Sequence, residues 1–426
     1  MNKNIKLAVA GAVLAMSASA ANAGIVIPAG DWTLDVNGNV NAYATWHKAD
    51  HATAGIVGGL AATKDVSGED QGQNINTGLL PSWLGFTGTT RQNDTDVSFT
   101  ISMQPNVSDK TSTGDGTGPL WRQSFLTFGD KSWGSLKLGK DIGIFASDAI
   151  LNDMTLLGVG AGTATTSGGA TTLGGIGTGY VYAAWKGQVA YTTPNFNGFQ
   201  ATVGITNPNQ GIDKDNNLVG ISGASGSATA GEVSVGNHLN QDRFGMEGKA
   251  SYSFTADNFS GKIWVGGVSQ RVKLNNTNTA NAVAANFREY TASGADIGAN
   301  INAGNAGLTA YYYTGEGLGT TVFLGNGYST TAGKRDSDGG YIQATYVLPT
   351  KTKLGVAFGR SNLDRANGEA AADTLVKSNE RLTVGLYHPL TKHLNLVAEW
   401  NDIETKAQAG AKNSVTTGSL GAILFF

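Results

Sequence analysis

From Trp32 to Trp46 the chain reads WTLDVNGNVNAYATW, with an apolar or small residue at every even position. Trp32, Leu34, Val36, Gly38, Val40, Ala42, Ala44 and Trp46 form one set. Thr33, Asp35, Asn37, Asn39, Asn41 and Thr45 form the other, with amphipathic Tyr43 among them. A period of two sorts these sets onto opposite faces of a strand; a helix would scatter the apolar groups around its whole circumference. Asn37-Gly38 is the dipeptide of a type I′ hairpin. The alternation passes through it without a slip, however, which favours one long strand over a turn. A Trp at each end of the apolar stripe matches the aromatic girdles around the lipid-facing band of a membrane barrel, whose strands need about 9–11 residues to cross.

Residues 1–23 read as a cleaved secretory signal peptide. Lys3 and Lys6 supply its positive start, residues 7–16 its apolar stretch, and Ala21-Asn22-Ala23 its small-residue cleavage site. Residues 24–426 are then a single barrel domain of 403 residues. No later stretch approaches about 18 consecutive apolar residues, so no spanning helix is expected. Gly, at 61 of 426 residues, has about twice its usual share, and charged residues at 14% fall well short of the usual quarter. A soluble domain of this size would be charged outside and apolar within. Here apolar residues are spread thinly over alternating strands, and mean hydropathy is only −0.14. With no Cys the exported fold must hold by its hydrogen-bond ladder alone. The net charge of −3, or −5 without Lys3 and Lys6, leaves no basic footprint for nucleic acid.

Strand-like runs fall at 32–46, 82–88, 96–104, 122–129, 134–140, 187–193, 198–206, 243–255, 259–272, 288–303, 307–315, 340–348, 352–362, 380–388, 393–402 and 413–426. That predicts a 16-stranded antiparallel transmembrane β-barrel, with about 25 residues for each strand and its connection. Turns such as Pro194-Asn195-Phe196-Asn197 and Pro389-Leu390-Thr391-Lys392 alternate with long polar loops, including 47–81, 105–120, 207–242 and 316–338. This is the short-periplasmic, long-extracellular asymmetry of outer-membrane barrels. An even strand count lets the first and last strands pair and leave no edge. Leu420, Ala422, Leu424 and Phe426 share one face of the final run, and Phe426 ends the chain.

The stretch 122–141, RQSFLTFGDKSWGSLKLGKD, resembles the general porins of Gram-negative outer membranes. There the pattern is Arg-Gln-small-aromatic, then Phe/Trp-Gly, then a strand ending Leu-Gly-Arg-Gln; this chain ends with Lys140-Asp141. Residues 82–88 (SWLGFTG) resemble the family's Ser-Arg-apolar-Gly-Phe-Lys-Gly, with Trp83 and Thr87 in place of two basic residues. Residues 189–199 (VAYTTPNFNGF) and 34–38 resemble two further family segments, the latter with Asn37 where Tyr is usual. The resemblance implies a homotrimer of 16-stranded barrels in the outer membrane, among lipids and lipopolysaccharide. It also implies recognition of the terminal Phe426 by the barrel-assembly machinery, and no cofactor.

The resemblance further assigns residues 141–186 as a third loop folded into the lumen, with acidic groups facing a basic wall. Asp148 and Asp153 are the acidic candidates; Arg122, Lys137, Lys140 and Lys186 are the basic ones. Parity supports Lys137, which alternates with Leu136 and Leu138, but not Arg122, which shares parity with Leu126 and Phe128. Arg243, Glu247, Lys249, Lys353, Arg381 and Glu399 are expected as other lumen-lining charges. A barrel of 16 strands is wide. Passage would therefore be set by the loop and by charges at the neck. Losing two basic positions and carrying −5 overall lean weakly towards cations.

Other motifs carry less. His47 and His51 stand four apart in what reads as a loop, with no further metal ligand in reach. Asp213, Asp215 and Asn217 start like a calcium loop, but Leu218 stands where Gly is needed and no closing Glu follows. Gly158, Gly160 and Gly162 lack the Gly-Lys-Ser/Thr of a phosphate-cradling loop and read as flexible chain. No nucleophile elbow or zincin signature is present. The expectation is a non-enzymatic channel for passive diffusion of ions and small hydrophilic solutes. A non-conducting barrel acting as an adhesin or anchor through its loops is the main alternative, and an outer-membrane hydrolase the next.

Overall fold

A computed structural model of the chain describes residues 24–50, 55–64, 67–105, 107, 120–162, 171–208, 237–239, 242–276, 289–329, 332–369 and 374–426. The proposed signal peptide, His51, Asp213, Asp215, Asn217 and Arg288 lie outside them. The protein is all-β, a closed antiparallel barrel of 16 strands. The first half comprises β1 (Trp32–Ala49), β2 (Trp83–Gln92), β3 (Thr95–Gln104), β4 (Leu120–Asp130), β5 (Gly134–Ile142), β6 (Trp185–Thr192), β7 (Phe199–Thr206) and β8 (Gly245–Ala256). The second half comprises β9 (Phe259–Asn276), β10 (Glu289–Ala303), β11 (Ala306–Glu316), β12 (Asp336–Val347), β13 (Lys353–Leu363), β14 (Val376–Pro389), β15 (Leu394–Ala407) and β16 (Lys412–Phe425).

Each strand pairs with its sequence neighbour, and β16 pairs with β1, with Val40 opposite Leu424 and Trp46 opposite Gly418. Closure satisfies every ladder without leaving an edge in lipid. The last residue takes part: Gly38 N–H donates to Phe426 O at 2.8 Å, and Phe426 N–H to Gly38 O at 3.0 Å. Below this seam a short strand, Ile25–Ala29, continues the sheet by pairing with residues 32–36. The turn between β2 and β3 has Asn93 and Asp94 both at positive φ (47° and 59°), as a two-residue type I′ hairpin requires.

The alternation on β1 has the predicted polarity. Val40, Ala42, Ala44 and Trp46 are exposed on the outside, while Asn39, Asn41, Tyr43, Thr45 and His47 are buried inside. Amphipathic Tyr43 therefore belongs to the inner set. Val356, Val384, Leu386 and Leu420 face outward in the same way on the last strands.

Several boundaries differ from the sequence expectation. β1 continues to Ala49, so His47 lies on a strand and not in a loop. Gln71–Asn76, inside the expected loop 47–81, pairs with the outer end of β1 and extends the β2 position around an inward excursion at 77–82. Within 207–242, Asn237–Leu239 pairs with the end of β9, and within 316–338 a small hairpin joins Tyr328–Ser329 to Gly333–Lys334. The segment after β5 contains helix α1 (Ser147–Leu151) and a 3-10 turn, Met154–Leu157.

Candidate functional site

After Ile142 the chain leaves the wall, crosses the barrel interior and rejoins it at Trp185. Irregular backbone at membrane depth needs partners for its N–H and C=O groups. Backbone carbonyls supply some, as where Ala161 N–H donates to Gly174 O at 2.8 Å and Tyr182 N–H to Thr321 O at 2.9 Å, and inward-pointing side chains supply others. Glu247 Oε2, on β8, accepts from Ile144 N–H and Phe145 N–H at 2.7 and 2.9 Å. Asp296 Oδ2, on β10, accepts from Ala146 N–H at 3.2 Å. Gln343 Oε1, on β12, accepts from Met154 N–H at 2.9 Å. Glu399 Oε2, on β15, accepts from Val159 N–H and Gly160 N–H at 2.9 and 2.8 Å. Four strands spread around the wall thus pin successive turns of one loop. The glycine-rich run is part of this fixation: Gly160 has a left-handed φ of 58° and packs against Gly174 and Arg381.

Between loop and wall lies a hydrophobic core inside the barrel. Phe145, Ala149, Leu156 and Tyr180 from the loop meet Tyr43, Tyr311, Tyr341 and Tyr387 from the strands. The tyrosines also use their hydroxyls on the loop backbone: Tyr43 OH donates to Leu157 O at 2.6 Å, and Tyr341 OH to Ala149 O at 2.8 Å. Buried Tyr hydroxyls need such partners.

The charges are arranged in pairs around this loop. Asp148, on α1, accepts from Lys249 Nζ at 2.8 Å and from Lys262 Nζ. Burial would raise its pKa, but the two ammonium groups hold the carboxyl below the usual Asp value. Asp153 caps the 3-10 turn, with Oδ1 accepting from Thr155 N–H at 2.9 Å. Its Oδ2 accepts from Gly175 N–H and Tyr180 OH, both at 2.8 Å, and stands 3.7 Å from Arg381. Burial and the Asp153 charge push the Tyr180 hydroxyl well above its ordinary pKa. Lys186 pairs with Glu247 at 2.6 Å, and Lys137 pairs with Asp141 while lying over the Phe125 ring. Lys353 points inward beside the Tyr387 ring, 4.9 Å from its centre.

The structure thus gathers Lys137, Asp148, Asp153, Lys186, Glu247, Lys249, Lys353, Arg381 and Glu399 on the inner side. It does not gather the remaining three. Lys140 shares the outward parity of Leu136 and Leu138, and its Nζ donates to Trp121 O at 2.8 Å. Arg122 sits where the β3–β4 register slips between Ser102 and Met103, and its guanidinium lies 5.9 Å from the centre of the Trp185 ring. Arg243 stands exposed beside Asp242, at a bend before β8 begins.

Asp141, Lys262, Asp296 and Gln343 join the site without having been singled out in the sequence. Their signal was parity: Lys262 alternates with outward Ile263, and Asp296 with outward Ile297. Trp264, apolar yet buried on the inner side, blurred the pattern on β9.

A family model described as Gram-negative porin matches residues 8–408. Among solved structures, the outer membrane channel DcaP of Acinetobacter baumannii is similar at 16% identity and a TM-score of 0.62, covering 95% of this chain and 100% of that one. An anion-selective porin from Comamonas acidovorans is similar at 14% identity and a TM-score of 0.58, covering 93% and 100%. The trimer form of in-vitro folded OmpT of Vibrio cholerae is similar at 14% identity and a TM-score of 0.52, covering 93% and 99%. At these identities the likeness is one of fold. No protein with a curated description matches.

Proposed function

The chain belongs to the Gram-negative porin family, and from that premise we propose that the loop between β5 and β6 is the constriction through which its solutes pass. The protein forms an outer-membrane channel for passive diffusion of solutes. The observation that carries the constriction reading is the tethering of one loop by Glu247, Asp296, Gln343 and Glu399 from around the wall. A loop held on several sides narrows the lumen by a fixed amount. It also sets Asp148 against Lys249 and Lys262 at the neck. Asp153, Lys137, Lys186 and Arg381 complete the charged ring in this reading. Arg122, Lys140 and Arg243 are left out: Lys140 has outward parity, Arg122 sits at the register slip beside the Trp185 ring, and Arg243 is exposed before β8 begins.

The solutes are ions and small hydrophilic molecules, and the channel is non-enzymatic, as the family membership suggests. Residues 24–426 form one barrel domain behind a cleaved leader. The trimer form of the Vibrio cholerae neighbour supports a homotrimer here. Outer-membrane lipids and lipopolysaccharide would surround it, and the assembly machinery would read Phe426.

Reconstitution in a planar lipid bilayer tests the channel reading directly. Ohmic conductance steps arriving in threes are expected. Electrical silence from folded protein would favour the adhesin or anchor instead.

A further inference from the structure

We propose that the passage favours small anions, and that Lys137, Lys249 and Lys262 are the groups that select them. The proposal rests on the channel reading and reverses the lean towards cations that net charge suggests. What decides it is which member of each ion pair faces water. The side chains of Lys137, Lys249 and Lys262 are 25%, 26% and 34% exposed, whereas their partners Asp141 and Asp148 are 1% and 5% exposed. Among the described residues, the carboxylates of Asp153, Glu247, Asp296 and Glu399 are buried as well, while Asp35, of the same parity as Asn39, is half-buried near the start of β1.

The cause lies in how the loop is tethered. Asp148 is carried inward on α1 and Asp141 lies at the inner end of β5, so both carboxylates are covered, while Lys137, Lys249 and Lys262 reach them from the wall and stay at the loop's margin; Lys186, buried with Glu247, takes no part. Each pair then acts as a dipole with its positive end towards the water. A permeating ion meets that end first, at shorter range and with less screening than the carboxylate behind it. At Asp148 the imbalance is one of count, since two lysines face one carboxylate. Lys353, half-buried on β13, adds another inward ammonium. Near the turns Asp96 and Asp130 are bound by Arg91, while Asp31, Asp94 and Asp257 are exposed there, away from the loop. Charge lining a low-dielectric neck raises the local concentration of counter-ions, and here the counter-ion is an anion.

Reversal potential across a KCl gradient, with chloride as the probe, reads this out. The wild-type channel is expected to pass chloride over potassium by at least about threefold. The Lys137→Gln/Lys262→Gln variant is expected to lose at least about half of that preference. It leaves Asp148 with Lys249, and its heat-modifiable electrophoretic mobility reports a folded barrel. Lys412→Gln, at an exposed lysine pairing with Glu404 near the start of β16, should leave the ratio unchanged. If the double variant fails to fold, Lys137→Gln alone is read in the same way. A wild-type channel that prefers potassium, or a folded variant with the wild-type ratio, overturns the proposal while leaving the channel reading intact. Absence of current overturns the channel reading itself.

Discussion

Asp148 shows how a single residue can hold the loop in register with the wall. Its carboxyl is buried, which by itself favours the neutral form, but Lys249 and Lys262 outweigh that cost and lower its pKa below the ordinary 3.8. A carboxyl whose pKa is depressed by folding stabilises the folded arrangement at every pH above its ordinary value. That contribution is lost as pH falls through the depressed value. The part of any acid-induced change in single-channel conductance and open-channel noise that Asp148 carries is therefore expected only below about pH 4. Asp148→Asn removes the titrating group, so that part should vanish and the noise of a loosened α1 should be present already at neutral pH. An acid transition below about pH 4 that survives unchanged in Asp148→Asn would assign it to another group. Asp153 differs in kind: its oxygens are spent on Thr155, Gly175 and Tyr180 within the loop, so it shapes the loop more than it anchors it.

At the scale of the strand, the period of two was legible wherever lipid on one side and water or loop on the other imposed opposite chemistries. That is why β1, β5 and β14 could be read from alternation alone. Gln71–Asn76 was not legible, because QGQNIN is polar on both faces and only its pairing with β1 makes it a strand. Lys140, which the family resemblance places at the constriction, shares the outward parity of Leu136 and Leu138. Parity with Leu126 and Phe128 argues against a lumenal Arg122, but the register slip beside it is a tertiary feature that alternation does not reveal. The outward stripe should behave as a lipid contact. Val384 on β14, opposite Val356 on β13, is exposed on that stripe away from the strand ends. Val384→Arg is expected to lower the stability of the barrel refolded into lipid by about 2–4 kcal/mol. Urea titration in vesicles measures it. A cost near zero would mean that this face is not in the hydrocarbon.

For the molecule as a whole, what could not be read from the sequence is how far the barrel is filled. Inner-face polarity suggests a lumen of water, yet Tyr43, Tyr311, Tyr341 and Tyr387 turn inward and form a hydrophobic core with the loop. Their parity was visible, but only the loop's path shows that they meet protein there. Barrel and loop therefore hold together by separable means: the wall by its closed ladder, the loop by wall carboxylates and this core. The wall's ladder does not pass through residues 143–184, so replacing them with a short Gly-Ser turn should leave a barrel that folds. Conductance is expected to rise at least about twofold as the neck widens, and selectivity to fall as Lys249 and Lys262 come to line a broad, well-screened opening. The core that the loop completes would be lost with it, so the denaturation midpoint should drop as conductance climbs. An unchanged conductance in a correctly folded deletion variant would show that the narrowest point lies elsewhere in the barrel.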